Sequence, residues 1–163
     1  MSLQRRLLSP IAWLALVLCL FAAPASAQSA YFFPAGGDFD PAVPTPQQFL
    51  GHEIGSRYTR HDQLVAYFNE LARHSDKIRV EEIGRSYEGR PLLIATVTSA
   101  QNLQNLETLR RQHVTLADPA QPLSAAGNSP VVVWLGYSLH DIENTSREAA
   151  SLTAYYLMAT RNS

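Results

Sequence analysis

The chain has 163 residues, of which 46% are hydrophobic, 17% charged and 9% aromatic. These proportions are typical of a globular protein, and they exclude a long disordered tail, a collagen-like repeat and a coiled coil. The 13 basic residues are balanced by 14 acidic ones, so the sequence lacks the basic surface that nucleic-acid-binding proteins carry. We therefore expect no nucleic-acid partner.

The first 27 residues have the pattern of a secretory signal peptide. Arg5 and Arg6 precede an apolar run over residues 11–23, and Ala25-Ser26-Ala27 is a small-x-small cleavage sequence. A membrane anchor is the weaker interpretation, because the run falls short of the roughly 20 apolar residues that span a bilayer. We predict cleavage of residues 1–27, export to the periplasm or the medium, and no stable membrane anchor afterwards.

Residues 28–57 form a proline-rich segment that precedes the folded domain. Four prolines and two glycines fall between residues 34 and 46, and both residue types disfavour regular helix. The pattern predicts an extended lead-in without a helix of its own, followed by a domain over residues 58–163.

The domain is predicted to begin with a helix and a β-hairpin. Thr59 is a candidate N-cap for a helix over residues 60–74, in which the apolar residues recur at helical spacing: Leu64, Tyr67, Phe68 and Leu71. Residues 77–84 and 92–98 are rich in β-branched and aliphatic residues and predict two strands. The intervening loop contains Gly89, for which we expect a positive φ angle, so the two strands are predicted to pair antiparallel.

A buried strand is predicted later in the chain. A short helix over residues 102–113 and a loop over residues 117–128 precede the run Val131-Val132-Val133-Trp134-Leu135. A strand without polar residues is typical of the middle of an α/β sheet, covered on both faces. Such a strand needs more neighbours than the two other predicted strands, so we expect the front portion of a larger α/β fold with a mixed sheet flanked by helices.

The last predicted element is a helix that follows the turn after this strand. Thr145 is a candidate N-cap, and Glu148 stands at the position that completes a capping box. The predicted buried stripe consists of four residues: Ala149, Leu152, Tyr156 and Leu157. Tyr155 is expected to be more exposed than Tyr156.

The turn between strand and helix contains a candidate metal site. Ligands in open α/β sheets gather at the carboxyl ends of strands, and this turn carries His140 and Glu143. A spacing of three allows an imidazole nitrogen and a carboxylate oxygen to point at one position, and both are zinc-ligand types. Taken alone the pattern is weak, because a surface turn with a capping carboxylate gives the same spacing.

Structural roles explain the other polar residues better than catalytic or metal-binding roles do. Gly136-Tyr137-Ser138-Leu139-His140 resembles the nucleophile elbow of α/β hydrolases, but His140 stands where that elbow needs a small residue. Ser138 is therefore interpreted as a turn or capping residue. Loop geometry accounts for Tyr87, Glu88 and Arg90, and surface or cap roles are predicted for the scattered histidines: His52, His61, His74 and His113.

Residues 49–156 resemble the zinc carboxypeptidases of the carboxypeptidase A type, most closely their large secreted bacterial members. The most specific part is the hairpin sequence Gly84-Arg85-Ser86-Tyr87-Glu88-Gly89-Arg90-Pro91-Leu92, some 50 residues before His140-x-x-Glu143. Further support comes from Phe49-Leu50-Gly51, from Tyr67-Phe68-Asn69-Glu70-Leu71-Ala72 and from Glu148-Ala149-Ala150.

The resemblance implies that His140 and Glu143 bind Zn²⁺ and that a metal-bound water attacks the C-terminal bond of a peptide or protein substrate. In this family the third ligand, the general base and the arginine that holds the substrate carboxylate come from later segments. No histidine follows His140, and the only later arginines are Arg147 and Arg161. Asp141 and Ile142 also replace the residues usual within the motif. We therefore expect the isolated chain to be an inactive fragment. The alternative is a non-catalytic secreted α/β protein that binds peptides or cell-wall material.

Overall fold

The computed structural model describes residues 29–33, 37–120, 129–138 and 144–161, and the chain divides into two units after Ala35. The described part of the first unit holds the short helix α1 (Ser29–Phe32). The second unit contains the remaining described elements, which are α2 (Pro46–Leu50), α3 (His61–His74), β1 (Ile78–Arg85), β2 (Pro91–Val97), α4 (Ala100–Gln104), α5 (Leu106–Leu116) and α6 (Asn144–Ala159). The α/β class is confirmed, whereas the predicted signal peptide lies outside the described residues.

Helix α2 contradicts the prediction of a lead-in without helix. The Thr45 hydroxyl accepts a hydrogen bond from the Gln48 N–H at 3.1 Å, and the Gln48 side chain accepts one from the Thr45 N–H at 2.9 Å. This reciprocal capping box, with Pro46 at the first helical position, starts a helix despite the surrounding prolines. The helix ends at Gly51, whose φ of 72° is left-handed. The predicted domain boundaries themselves stay predictions.

Helix α3 confirms the predicted helix, although its first residues differ from the expected cap. Arg60 occupies the N-cap position, and its N–H donates to the Gln63 side chain at 3.1 Å. Thr59, the predicted cap, is 1% exposed, and its hydroxyl has no hydrogen-bond partner within the described residues. The prediction was wrong because the helix begins at His61, so that Thr59 stands one residue before the N-cap position.

The β-hairpin is confirmed. Strands β1 and β2 pair antiparallel from Ile78 opposite Val97 to Arg85 opposite Pro91, with a bulge at Ile83. Gly89 in the connecting loop has a φ of 76°, as expected. Among the described residues this two-stranded antiparallel sheet is the whole sheet, so the mixed sheet expected from the sequence is not seen there.

The region predicted as one short helix contains two. Helix α4 ends and α5 begins at Asn105, whose φ of −105° and ψ of 17° depart from helical values. The Asn105 side chain donates to the Gln101 carbonyl at 3.0 Å, and this contact competes with helix continuation.

The run Val131–Leu135 is not paired as a strand within the described part of the chain. Its five side chains are 55–87% exposed, which contradicts the prediction of a strand covered on both faces. Among the described residues no strand pairs with this run, so its backbone lacks the ladder partners that a buried strand needs. The segment is attached through the His113 imidazole, which donates from Nε2 to the Pro130 carbonyl at 2.8 Å.

The core lies where α3 packs against α6. Tyr67 and Leu71 of α3 are fully buried, and the Tyr67 hydroxyl donates to the Pro44 carbonyl at 2.9 Å. The buried residues of α6 are mostly small: Ala150, Ser151, Ala154, Tyr155, Met158 and Ala159. The predicted stripe was therefore wrong, because small side chains allow closer packing of two helices than the larger Leu152 and Leu157 would.

Two adjacent residues of α6 test this assignment of the buried face. Met158 is 3% exposed and Leu157 is 42% exposed. We expect Met158→Ala to lower the free energy of unfolding by about 2–5 kcal/mol, because it removes buried apolar atoms and leaves a cavity. The matched control Leu157→Ala should cost well under half as much. Urea denaturation followed by circular dichroism measures both, and equal losses would contradict the buried face described above.

Candidate metal turn and arginine groove

The turn that carries the predicted ligands is bounded by described residues on both sides. His140 and Glu143 themselves lie outside the described residues, and α6 begins at Asn144. Before the turn, the Ser138 N–H donates to the Ser146 hydroxyl at 2.6 Å. The Tyr137 hydroxyl donates to the Thr153 hydroxyl at 2.9 Å. The segment before the turn is therefore attached to the helix that follows the turn.

Ser138 has a left-handed backbone conformation. Its φ of 58° is unusual for a residue with a side chain and costs roughly 1–2 kcal/mol. The hydrogen bond from its N–H to Ser146 helps to hold this conformation. The geometry agrees with the interpretation of Ser138 as a turn residue.

A second set of contacts attaches the beginning of α6 to the loop before α3. The Glu148 carboxylate lies close enough to the Gly55 N–H and to His52 for both to lower its pKa. Burial raises the pKa of Glu148 above its ordinary value, although the Gly55 N–H and the proximity of His52 act in the opposite direction. Glu148 was predicted to cap its own helix, and its contacts instead reach a distant loop.

His52 is buried, contrary to the predicted surface or cap role. It is 8% exposed, and its Nδ1 lies 3.1 Å from the Glu53 carbonyl, which can only accept a hydrogen bond. Nε2 has no hydrogen-bond partner within the described residues. His61 and His113 bind backbone carbonyls and His74 binds Glu70, so the remaining predictions of structural roles agree with the contacts.

An open groove of about 660 Å³ lies beside the first turns of α6. We call it the arginine groove; its polar and aromatic walls are formed by Tyr58, Arg60, His61, Asp62, Glu88, Arg90 and Arg147. These residues come from the segment before α3, the first turn of α3, the hairpin loop and α6. The guanidinium carbon of Arg147 lies 4.9 Å from the centre of the Tyr58 ring, within cation–π distance. Sequence reasoning assigned Glu88 and Arg90 to loop geometry alone and missed this grouping.

The described residues contain no metal site of their own. No three of their His, Cys, Asp and Glu side chains lie together as possible ligands. None of the described helices is long and apolar enough to cross a bilayer.

These features define the structural class as an α/β unit. In this unit a hairpin packs on α3, and a short turn precedes α6. Residues 64–163 match the family model described as zinc carboxypeptidase. The match covers more than half of the 163 residues, so the chain belongs to the zinc carboxypeptidase family, whose members hydrolyse peptides. Comparison with curated proteins and with solved structures finds no match. The matched range contains His140 and Glu143, whose roles stay predictions.

The pH dependence of stability tests the buried environment of Glu148. Because its folded pKa is raised, Glu148 contributes stability below its unfolded pKa of about 4.5 and loses that contribution as the pH rises through the folded value. Between about pH 4 and pH 7, the free energy of unfolding of the wild type should therefore fall relative to that of Glu148→Gln. Urea denaturation at a series of pH values measures this difference.

Glu107 provides a control of opposite sign. A hydrogen bond from Arg110 lowers the pKa of Glu107, so its contribution is present above the unfolded pKa and lost as the pH falls. Relative to Glu107→Gln, the wild type should become more stable between about pH 4 and pH 7. If the difference in unfolding free energy between wild type and Glu148→Gln changed with pH in the same direction as the difference between wild type and Glu107→Gln, the burial argument would be refuted.

Proposed function

We propose that this chain supplies the first two zinc ligands, His140 and Glu143, of a metallocarboxypeptidase that removes C-terminal residues from peptides and proteins. The observation that carries this proposal is the His-x-x-Glu spacing, which falls within the family match and ends directly before α6. We also propose that the nearest relatives are large secreted bacterial members, on the strength of the hairpin sequence over residues 84–92.

The donor chemistry of the turn fits zinc. Catalytic zinc sites commonly combine imidazole nitrogen with carboxylate oxygen, and this turn offers one of each. The hydrogen bonds from Ser138 to Ser146 and from Tyr137 to Thr153 hold the residues before the turn against the helix that follows it. This support favours the proposal because a metal ion binds more tightly to ligands that are already close to their final positions.

In the proposed peptidase, residues of this chain would hold the zinc ion, and other groups would complete the hydrolysis. Bound zinc would lower the pKa of a water molecule and polarise the carbonyl of the scissile bond. His140 and Glu143 would hold it through a neutral imidazole and an ionised carboxylate. A third ligand, a general base and an arginine for the substrate carboxylate have no match in the sequence after His140. We therefore propose that the 163-residue chain binds zinc weakly and does not hydrolyse peptides by itself.

Zinc titration tests the ligands. We expect one Zn²⁺ per chain by isothermal titration calorimetry, and His140→Ala and Glu143→Gln should each weaken binding on the order of tenfold or more, because each removes one donor. His74→Ala is the matched control, since His74 lies on the surface of α3 and pairs with Glu70. Wild-type affinity in the His140 variant would refute the metal site and favour the non-catalytic secreted binding protein.

The same preparation, incubated with zinc and blocked C-terminal dipeptides, should release no free amino acid above background. Zinc-dependent release that is lost in His140→Ala would overturn the proposal of inactivity while supporting the ligands. This outcome is separate from zinc binding, because turnover needs groups beyond the two ligands.

We further propose that the protein is exported and that residues 1–27 are removed. The basic pair, the apolar run and the Ala25-Ser26-Ala27 sequence support this proposal. Expression of the full chain in a bacterial host should give a periplasmic product whose intact mass corresponds to a start at Gln28. An unprocessed product in the cytosol would contradict export, and Ala25→Leu is expected to block cleavage as a control.

A further inference from the structure

We propose that the arginine groove binds an acidic side chain of a peptide. The groove brings three guanidinium groups together with two carboxylates, so its walls carry one positive charge in excess. Its remaining surface includes the ring of Tyr58 and the side chains of Val65 and Pro91, which offer apolar contacts to the stem of a bound residue. A single carboxylate on a short aliphatic stem matches both features.

Two of the arginines retain hydrogen-bond donors after their internal contacts. A guanidinium carries five N–H donors. Arg60 donates to Asp62 from Nε at 3.0 Å and from Nη2 at 2.8 Å. Arg90 pairs with Glu88 through Nη2 at 2.8 Å. Each guanidinium can therefore donate to a further carboxylate without loss of its present partner.

These ion pairs are local and do not join separate elements. Arg60 and Asp62 are two residues apart, as are Arg90 and Glu88, and all four side chains are exposed. Exposed pairs of this kind are weakly held and exchange readily with other ions. The carboxylates Asp62 and Glu88 also disfavour a polyanion, because a phosphate backbone would place further negative charges beside them. The groove thus favours one acidic side chain over a nucleic acid.

The position of the groove relates it to the proposed peptidase. Arg147 lies four residues after Glu143, on the first turns of α6. A peptide with an acidic residue in the groove would therefore pass along the first turns of α6. The assignment of this ligand as part of a substrate rests on the proposed function, whereas binding itself does not require the metal.

The test measures binding in the presence of EDTA, so that it is independent of zinc. The probe is N-acetyl-alanyl-glutamyl-alanine amide, compared by NMR titration with its glutaminyl analogue, on the full chain. We expect the glutamyl peptide to bind at least about fivefold more tightly, with an affinity that falls as salt is raised, since the attraction is between exposed charges. Equal binding of the two peptides, or no binding of either, would overturn the proposal.

Variants distinguish the groove from bulk charge. The double variant Arg60→Gln and Arg90→Gln should abolish the preference for the glutamyl peptide. Arg110→Gln is the matched control, because Arg110 is also exposed and paired with a carboxylate, Glu107, but lies on α5 outside the groove. An equal loss in the Arg110 variant would refute the site. The comparison of the two peptides on wild-type protein remains decisive if the double variant does not fold.

A third peptide separates the side chain from a chain terminus. N-acetyl-alanyl-glutaminyl-alanine with a free C-terminal carboxylate should bind no better than its amide. Tighter binding of this free acid would show that the groove recognises a terminal carboxylate and would overturn the assignment to a side chain. Failure of zinc to bind in the separate titration would leave all of these outcomes unchanged.

Discussion

The close packing of α3 against α6 positions the start of α6 within the second unit. Tyr67 and Leu71 of α3 are fully buried, and α6 presents Ala150 and Ala154 among its buried residues. Because alanine adds little to the radius of a helix, the two helices can approach closely and the larger α3 side chains can fill the space between them. The start of α6, and with it the end of the candidate metal turn, is therefore set by this interface.

Polar contacts at the first turns of α6 complement this apolar interface. Glu148 reaches the Gly55 N–H, Arg147 lies over Tyr58, and Ser146 accepts from the Ser138 N–H. Three consecutive residues of one helix thus face three different parts of the chain. A helix that is held by apolar contacts along its length and by hydrogen bonds at its beginning has little freedom to rotate about its axis. Such a fixed start is what a ligand turn immediately before it requires.

Local sequence signals were sufficient for some elements and insufficient for others. The hairpin and α3 were predicted correctly because the β-branched runs, Gly89 and the helical spacing are short-range features. The buried face of α6 was predicted wrongly because the prediction relied on hydrophobicity, and Leu152 and Leu157 are more hydrophobic than the alanines that are actually buried. His52 is buried and lies close enough to Glu148, nearly a hundred residues later in the chain, to lower the pKa of that carboxylate, and no local pattern predicts such a long-range proximity. The arginine groove was missed for the same reason.

The candidate metal turn was predicted from the His-x-x-Glu spacing and a family resemblance. The structural elements found next to the turn differ from those that the sequence predicted. The sequence indicated a buried strand over residues 131–135 as the rigid base of the turn, yet these side chains are exposed. The described contacts attach the residues before the turn to α6, through the hydrogen bonds of Tyr137 and Ser138. Any conformational freedom that a ligand pair loses on metal binding lowers the affinity that its two donors can provide, so the described contacts beside the turn bear directly on zinc affinity.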